Sequence, residues 1–170
     1  MSKVVSHPVK KITGSIEVPG DKSISHRALI IGAIAVGETV ISGLLESEDV
    51  LGTAKAIAQL GVKSTRDSKG QWHIHGVGIG GLSNPETVID FGNSGTGARL
   101  ITGLVATHEI KMQVTGDDSL RKRPMGRVLQ PLSQMGSEVI SKSDQKMPFT
   151  LIGAKDPKPI IYELPVPSAQ

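Results

Sequence analysis

An internal repeat constrains this chain more than any other feature. Leu29-Ile30-Ile31-Gly32-Ala33-Ile34-Ala35 is echoed by Leu100-Ile101-Thr102-Gly103-Leu104-Val105-Ala106, and each run follows a loop of small polar residues, glycine and cations. The surrounding pattern is duplicated too. In the first copy, residues 11–18 alternate weakly and read as a strand. Residues 25–36 read as a helix that Gly37 ends in the left-handed C′ position. Residues 39–42 read as a short strand. Residues 49–60 form a second helix, with Val50, Ala54, Ile57 and Ala58 on one face and Gly61 as its stop. Residues 62–65 and 71–75 form a hairpin turning at Asp67-Ser68-Lys69-Gly70. The second copy runs strand 88–91, helix 100–106, strand 111–115, helix 125–135 stopped at Gly136, and hairpin 137–140 with 148–152. The period is roughly 71–77 residues, and a repeat of that kind decides the architecture before any single residue does.

The implied fold class is α+β, built from repeated βαβαββ units packed through their helices. Each unit is a small sheet with two helices on one face, and one unit alone leaves a helix face bare. Two complete units are expected, with the start of a third. The strand of that third copy is expected at residues 160–164, and Pro165-Val166-Pro167-Ser168 stands where Pro19 to Ser23 stood. The chain is therefore expected to be a piece of something longer, ending as a third helix should begin.

Composition narrows the function classes. Of the 170 residues 38% are apolar but only 2% aromatic, so the core must be aliphatic. The absence of cysteine excludes disulfides, thiolate metal ligands and a cysteine nucleophile within this chain, and fits a reducing compartment. No apolar run approaches the ~20 residues of a membrane span, and Met1-Ser2-Lys3 has no adjoining apolar signal region, so a cytosolic setting is expected. A net charge of +3 and a pI of about 9.2 suit nucleic acid or small anions. Trp72, Phe91, Phe149 and Tyr162 are too scattered for the stacking platform that single-stranded nucleic acid uses. Cations at helix starts favour small anions.

The first of those starts is Pro19-Gly20-Asp21-Lys22-Ser23-Ile24-Ser25-His26-Arg27. Pro19 and Gly20 break the chain into a turn, and Ser23 or Ser25 is expected to cap the helix. A helix N-terminus is partially positive, so Lys22 and Arg27 there cost roughly 0.3–1 kcal/mol each when exposed. Free N–H groups and two cations are compatible if a phosphate or carboxylate sits among them. The stretch is not a P-loop, because Asp21 separates Gly20 from Lys22. In the second copy, Gly92, Gly95 and Gly97 let backbone N–H groups approach a ligand without Cβ interference. If the units pack with pseudo-symmetry, Lys22, Ser23 and Arg27, then Asn93, Gly95, Thr96 and Arg99, then Ser168 and Gln170, form one anion-binding floor. Arg121-Lys122-Arg123-Pro124 repeats the charge anomaly. Pro124 suits the first helical position, and Arg123, held extended before it, can pair bidentately with a carboxylate or phosphate.

Other candidates read as structural. His73 and His75 share a strand face and suggest metal, but an exposed hairpin edge fits better. Asp49, after Glu46 and Glu48, reads as a helix N-cap, Asp90 as a brace for the glycine loop, and Asp117 and Asp118 as caps or partners of Arg121 and Arg123. No Ser/His/Asp triad and no strong general base is legible.

Pro-Gly-Asp-Lys-Ser-Ile-Ser-His-Arg (19–27), Gly-Asn-Ser-Gly-Thr-Gly-Ala-Arg (92–99), Lys-Arg-Pro-Met-Gly-Arg (122–127) and Ser-Ala-Gln (168–170) resemble, in order, motifs of the 5-enolpyruvylshikimate-3-phosphate synthase family. The resemblance implies an enolpyruvyl transferase-like fold of two domains, each of three units, with the active site between them. Residues 1–19 are then a lead-in and a strand joining the other domain, and 20–170 an N-terminal substrate-binding domain cut in its third repeat. It implies transfer of the enolpyruvyl group of phosphoenolpyruvate to the 5-hydroxyl of shikimate-3-phosphate, in the shikimate pathway of aromatic amino acid biosynthesis, without metal or organic cofactor. By motif match, Lys22, Ser23, Arg27, Ser168, Ala169 and Gln170 hold shikimate-3-phosphate, while Lys22, Gly95, Arg123 and Gln170 contact phosphoenolpyruvate. Lys22 is the catalytic candidate; Asn93, Thr96 and Arg99 support. The inhibitor glyphosate would occupy the phosphoenolpyruvate pocket against Gly95. The family's acid–base carboxylate lies outside this chain, so the isolated chain is expected to be inactive, and the whole enzyme a cytoplasmic monomer that binds neither nucleic acid nor membrane. The alternatives are a UDP-N-acetylglucosamine enolpyruvyl transferase-like enzyme and a non-catalytic anion- or RNA-binding module on the same repeat.

Overall fold

Residues 3–141 and 145–165 are described in the computed structural model. The first unit comprises α1 (Lys22–Ile34), β1 (Val36–Ile41), α2 (Glu48–Gln59), β2 (Lys63–Arg66) and β3 (Trp72–Val77). The second comprises β4 (Ile89–Asp90), α3 (Gly95–Val105), β5 (Lys111–Thr115), α4 (Asp118–Lys122), α5 (Gly126–Gln134), β6 (Glu138–Ser141) and β7 (Phe149–Ile152). The α+β repeat is present, with the one-turn helix α4 added to it.

The two sheets share a plan. The first has the order β1-β3-β2 and the second β4-β5-β7-β6. In each, the last strand of the hairpin lies in the middle, antiparallel to both neighbours: Val36 pairs with Val77 through to Ile41 with Trp72, and Lys111 pairs with Ile152 through to Val114 with Phe149. Only the second sheet carries the parallel opening strand, β4, with Ile89 opposite Val114. Period-two alternation decides which face is buried: in β5, Met112 and Val114 point into the core while Lys111 and Gln113 are exposed.

Helices fill the inner side. Leu29 and Ala33 of α1, Val50, Ala56 and Ile57 of α2, and Ala98, Ile101 and Val105 of α3 belong to one continuous aliphatic core with Ile74, Met112, Val114 and Leu151 of the sheets. Fully burying one such Ile or Leu is worth about 1.5–3 kcal/mol. Packing of α2 against α3 and β4 joins the units, as the repeat requires.

Several expectations are corrected. Residues 11–18 form no strand: Ile12, Ile16 and Val18 are 90%, 86% and 77% exposed, and no neighbouring strand supplies ladder bonds. Residues 160–164 likewise form no strand, and Ile161 is fully exposed. The first unit is thus one strand short of the plan. Gly37 has φ +95 but does not end α1; it lies in β1, and Ala35 closes the helix in extended geometry. On α2 Ala54 is buried as expected, but the other buried alanine is Ala56, and Ala58 is exposed. Gly61, at φ +91, does stop α2.

Candidate functional site

The start of α1 is capped by Asp21, whose Oδ1 accepts from Ile24 N–H at 2.8 Å. This corrects the expected serine cap. An acid two positions ahead of Ser23 meets the same orphan N–H groups, and its charge suits the positive helix end. Ser25 is buried and holds the turn together: its Oγ donates to the Asp21 carbonyl at 2.8 Å and accepts from Leu45 N–H at 3.0 Å. Gly20 is needed beside it, because a Cβ there would stand 2.1 Å from the Gly43 carbonyl oxygen. Lys22, Ser23 and Arg27 are exposed on the first turns. Lys22 Nζ pairs with Asp49 Oδ2 at 3.1 Å, and Arg27 Nη1 donates to the Ser23 carbonyl at 3.0 Å. Asp49 is the second residue of α2 rather than its cap; Ser47 occupies that position without a side-chain capping bond.

The second start is built on the glycine loop. Gly92 takes φ +53, with its N–H on Asp90 Oδ1 at 2.9 Å, so Asp90 braces the loop as expected. Ser94 caps α3 through Gly97 N–H at 3.1 Å. Gly95 is buried under two guanidinium groups: a Cβ there would lie 3.1 Å from both Arg123 Nη1 and Arg99 Nη1. Thr96 is half-buried on the same turn. Asn93 links the loop to the next element, donating through Nδ2 to Asp117 Oδ2 at 2.7 Å and accepting at Oδ1 from Arg123 Nη2 at 2.7 Å. Asp117 caps α4 through Leu120 N–H at 2.7 Å. The bond from Asn93, followed by that from Leu120, holds the Asp117 carboxyl below its ordinary range.

The run 121–124 is arranged differently from its sequence reading. Arg121 and Lys122 occupy the last turn of α4, the negative end of a helix dipole, and Arg121 pairs with Asp118. Pro124 lies between helices, and Met125 is the N-cap residue of α5. Arg123 is extended (φ −74, ψ 136), as a residue before proline should be, and reaches the glycine loop.

Arg99 and Arg123 make no ion pair among the described residues. Arg99 Nη2 reaches the Pro124 carbonyl at 3.4 Å, while its buried Nε has no partner. Burial first, then the charges of Arg123 and Arg127, push its pKa down. Crowded guanidinium groups of one sign, over a glycine at a helix N-terminus, favour a bound anion.

The two starts meet inside the molecule. His26 Nδ1 of α1 lies 2.8 Å from Thr53 Oγ1 of α2, and a Cβ on Gly97 of α3 would lie 2.7 Å from that same oxygen. The first turns of α1 and α3 therefore share a support on α2. Neither His26 nor Thr53 stands out as a site residue in the sequence; the matching four-residue spacings Lys22/His26 and Asp49/Thr53 are the available signal. Ser168, Ala169 and Gln170 lie outside the described residues.

His73 and His75 are on the central strand of their sheet, not at an edge. His73 bridges Glu38 (3.0 Å) and Asp67 (3.5 Å), and His75 Nε2 lies 3.9 Å from Glu38. Among the described residues, no group of three or more His, Asp or Glu side chains could hold a metal ion, and no helix is long and apolar enough to cross a membrane.

The model of the family EPSP synthase (3-phosphoshikimate 1-carboxyvinyltransferase) matches residues 6–170. A 3-phosphoshikimate 1-carboxyvinyltransferase of Dinoroseobacter shibae is 53% identical over 98% of this chain and 37% of its own length. One from Afipia carboxidovorans is 58% identical over 94% of this chain and 36% of its own length. The solved EPSP synthase of Acinetobacter baumannii superposes with a TM-score of 0.86 at 42% identity, covering 92% of this chain and 35% of that one. The chain spans little more than a third of the length of these relatives.

Proposed function

The chain belongs to the EPSP synthase family, and we propose that it supplies much of the substrate-binding half of an enzyme that transfers the enolpyruvyl group of phosphoenolpyruvate to the 5-hydroxyl of shikimate-3-phosphate. The observation that carries this reading is the convergence of two helix N-termini, one bearing Lys22 and the other lying beneath Arg99 and Arg123, on Thr53. Two anions must be brought together, and two adjacent cationic starts suit that task.

In this reading Lys22, Ser23 and Arg27 hold shikimate-3-phosphate, joined by Ser168, Ala169 and Gln170. The Gly95 loop, Arg123 and Gln170 hold phosphoenolpyruvate, and Lys22 touches both substrates. Asn93 orients the Arg123 guanidinium through the 2.7 Å bond, and Arg99 and Thr96 complete the floor. The 5-hydroxyl oxygen bonds to C2 of the enol phosphate, giving its proton to a base while the C2=C3 double bond takes a proton at C3. Loss of a C3 proton then expels phosphate and restores the double bond. The cations stabilise charge gathering on the phosphate and carboxylate, work worth most in a site closed to water. The proton-transfer carboxylate belongs to the remainder of the enzyme. Residues 20–170 act as the N-terminal domain and 1–19 run toward the second; exposed Ile12, Ile16 and Val18 suit a strand completed there. The enzyme works as a cytoplasmic monomer on small molecules, without nucleic acid, and glyphosate competes at the Gly95 loop.

Phosphate release from phosphoenolpyruvate and shikimate-3-phosphate tests the reading. The 170-residue chain is expected to bind shikimate-3-phosphate weakly and release nothing until the C-terminal remainder is added in trans. Turnover by the chain alone overturns the division of labour. Heparin retention insensitive to shikimate-3-phosphate overturns the enzyme reading in favour of a general anion-binding module.

A further inference from the structure

The junction of the three helices holds a polar pair that the anion floor does not itself use. His26 and Thr53 are both fully buried. Lys22 and His26 are one turn apart on α1, and Asp49 and Thr53 are one turn apart on α2. The helices are joined by two rungs: Lys22 to Asp49 at the rim, 3.1 Å, and His26 to Thr53 inside, 2.8 Å. The third helix rests on the inner rung, because only the missing Cβ of Gly97 allows it to approach the Thr53 hydroxyl. In the register of the helix repeat, which sets Leu100 on Leu29, Gly97 stands where His26 stands. One unit thus meets Thr53 with an imidazole and the other with bare backbone.

We propose that His26 and Thr53 are positioning residues that set the spacing between the Lys22 turn and the Gly95 turn, and so determine whether both cationic starts grip their anions together. This rests on the functional reading above.

The chemistry favours one arrangement. With the proton on Nδ1, His26 donates to Thr53 Oγ1, and the Thr53 hydroxyl donates onward to the Asp49 carbonyl, 3.5 Å away. The buried Nε2, which has no partner, is then an unprotonated nitrogen rather than a stranded N–H. A second proton would place a charged donor without an acceptor beside Lys22 and Arg27. Burial is the largest cause holding the imidazole pKa below its ordinary 6.5; Lys22 and Arg27 add to it and Asp49 opposes. The neutral ring is a rigid spacer, and among the described residues its Nδ1 is hydrogen-bonded to Thr53. Valine at position 53 keeps the shape and removes the hydroxyl; serine keeps the hydroxyl.

The test uses the 170-residue protein as wild type, Thr53→Val and Thr53→Ser, at a temperature where circular dichroism shows each fully folded. Backbone amide spectra are recorded, and shikimate-3-phosphate is titrated. In Thr53→Val the amides of Lys22, Ser23, Gly95 and Thr96 are expected to shift together, and affinity to fall about tenfold, the effect of one lost buried hydrogen bond. Thr53→Ser should restore both. Unchanged affinity in a folded Thr53→Val overturns the proposal, as do shifts confined to α2. If Thr53→Val does not fold, Thr53→Ala, which relieves packing, is read in the same way. If the wild type binds no shikimate-3-phosphate, the functional reading fails separately, and the amides decide alone. Joint movement at both helix starts with serine rescue then supports the spacer, and movement only around position 53 overturns it.

Discussion

The first unit leaves its sheet open and pairs Lys22 with a carboxylate; the second completes its sheet and, among the described residues, leaves Arg99 and Arg123 without an ion pair. Both differences have local causes. The second unit has β4 lying parallel to β5, whereas residues 11–18 of the first lie free beyond the turn at Gly20. The helix α2 begins with Glu48 and Asp49, so an acid stands beside Lys22. Its counterpart α5 has no acid in its first turn, and Arg123 is held instead by the neutral Asn93 amide. One architecture thus provides two kinds of anion site: a lysine held by a direct carboxylate pair, and a guanidinium pair that among the described residues has no direct ion pair, Asp117 being linked to Arg123 through Asn93. The more strongly prepared site is the second.

The largest test of this contrast is Lys22→Met in the complete enzyme. Turnover is expected to fall at least about a hundredfold, the scale for removing a charge-stabilising donor. Arg27→Ala, whose guanidinium folds back on Ser23, should mainly raise the KM for shikimate-3-phosphate. Equal steady-state effects of the two changes on both substrates would break the assignment of a shared role to Lys22.

Gly97→Ala probes the seam between the units. The new methyl would meet Thr53 Oγ1 at 2.7 Å and Ser94 Oγ at 2.8 Å. Overpacking of this kind costs about 1–3 kcal/mol, and each kcal/mol lowers the melting temperature of a chain this size by about 2–4 °C. A thermal scan showing no loss would mean that α3 does not rest on Thr53.

Gly32 and Gly103 hold equivalent places in the two units but differ in surroundings. A Cβ on Gly103 meets nothing within 4 Å, while one on Gly32 meets Thr39 at 3.3 Å and Ile74 at 3.4 Å. Gly103→Ala is expected to stabilise by about 0.4–1 kcal/mol through lost unfolded-state freedom. Gly32→Ala should gain nothing, because crowding offsets the same term. Equal gains in urea midpoint would erase the distinction.

The smallest effect is the pH dependence from His26. Its pKa is lowered in the folded state, so between that value and 6.5 the unfolded chain binds more protons. Stability should therefore fall as pH drops below 6.5, by at most about 1.4 kcal/mol per pH unit for one proton. His73 acts in the opposite sense: its pKa is raised, chiefly by its bond to Glu38, and its contribution is lost as pH rises through the folded value. The check is the difference in urea midpoint between wild type and His26→Asn from pH 5 to 7.5. A constant difference would show that His26 does not titrate as its burial requires.

Much of this was legible in the chain. Aliphatic periodicity and the stop at Gly61 located the helices and hairpins, and Asp90 was readable as the brace of the glycine loop. Cations placed at the wrong end of a helix singled out Lys22, Arg27 and Arg123. The same rule misled at Arg121 and Lys122, because the short α4 before Pro124 turns that end into a helix C-terminus. Five residues are too few to show a helical period. The serine cap of α1 was misread because several side chains in the turn could serve, and backbone geometry chose Asp21.

By itself the sequence determined the order of elements apart from α4 and the strands expected at 11–18 and 160–164, the twofold repeat, the family and the residue types at the two helix starts, because each is set by neighbours within a turn or by motif. Only the tertiary structure decided that Lys22 rests on Asp49, that Asn93 bridges Asp117 and Arg123, that residues 11–18 find no partner strand among the described residues, and that His26, Thr53 and Gly97 meet. Those contacts join residues 24 to 30 or more positions apart. Periodicity reports which face a residue takes, but not which face of another element packs against it. That is settled when the aliphatic core closes and one glycine, lacking a Cβ, lets a third helix come to rest on a threonine.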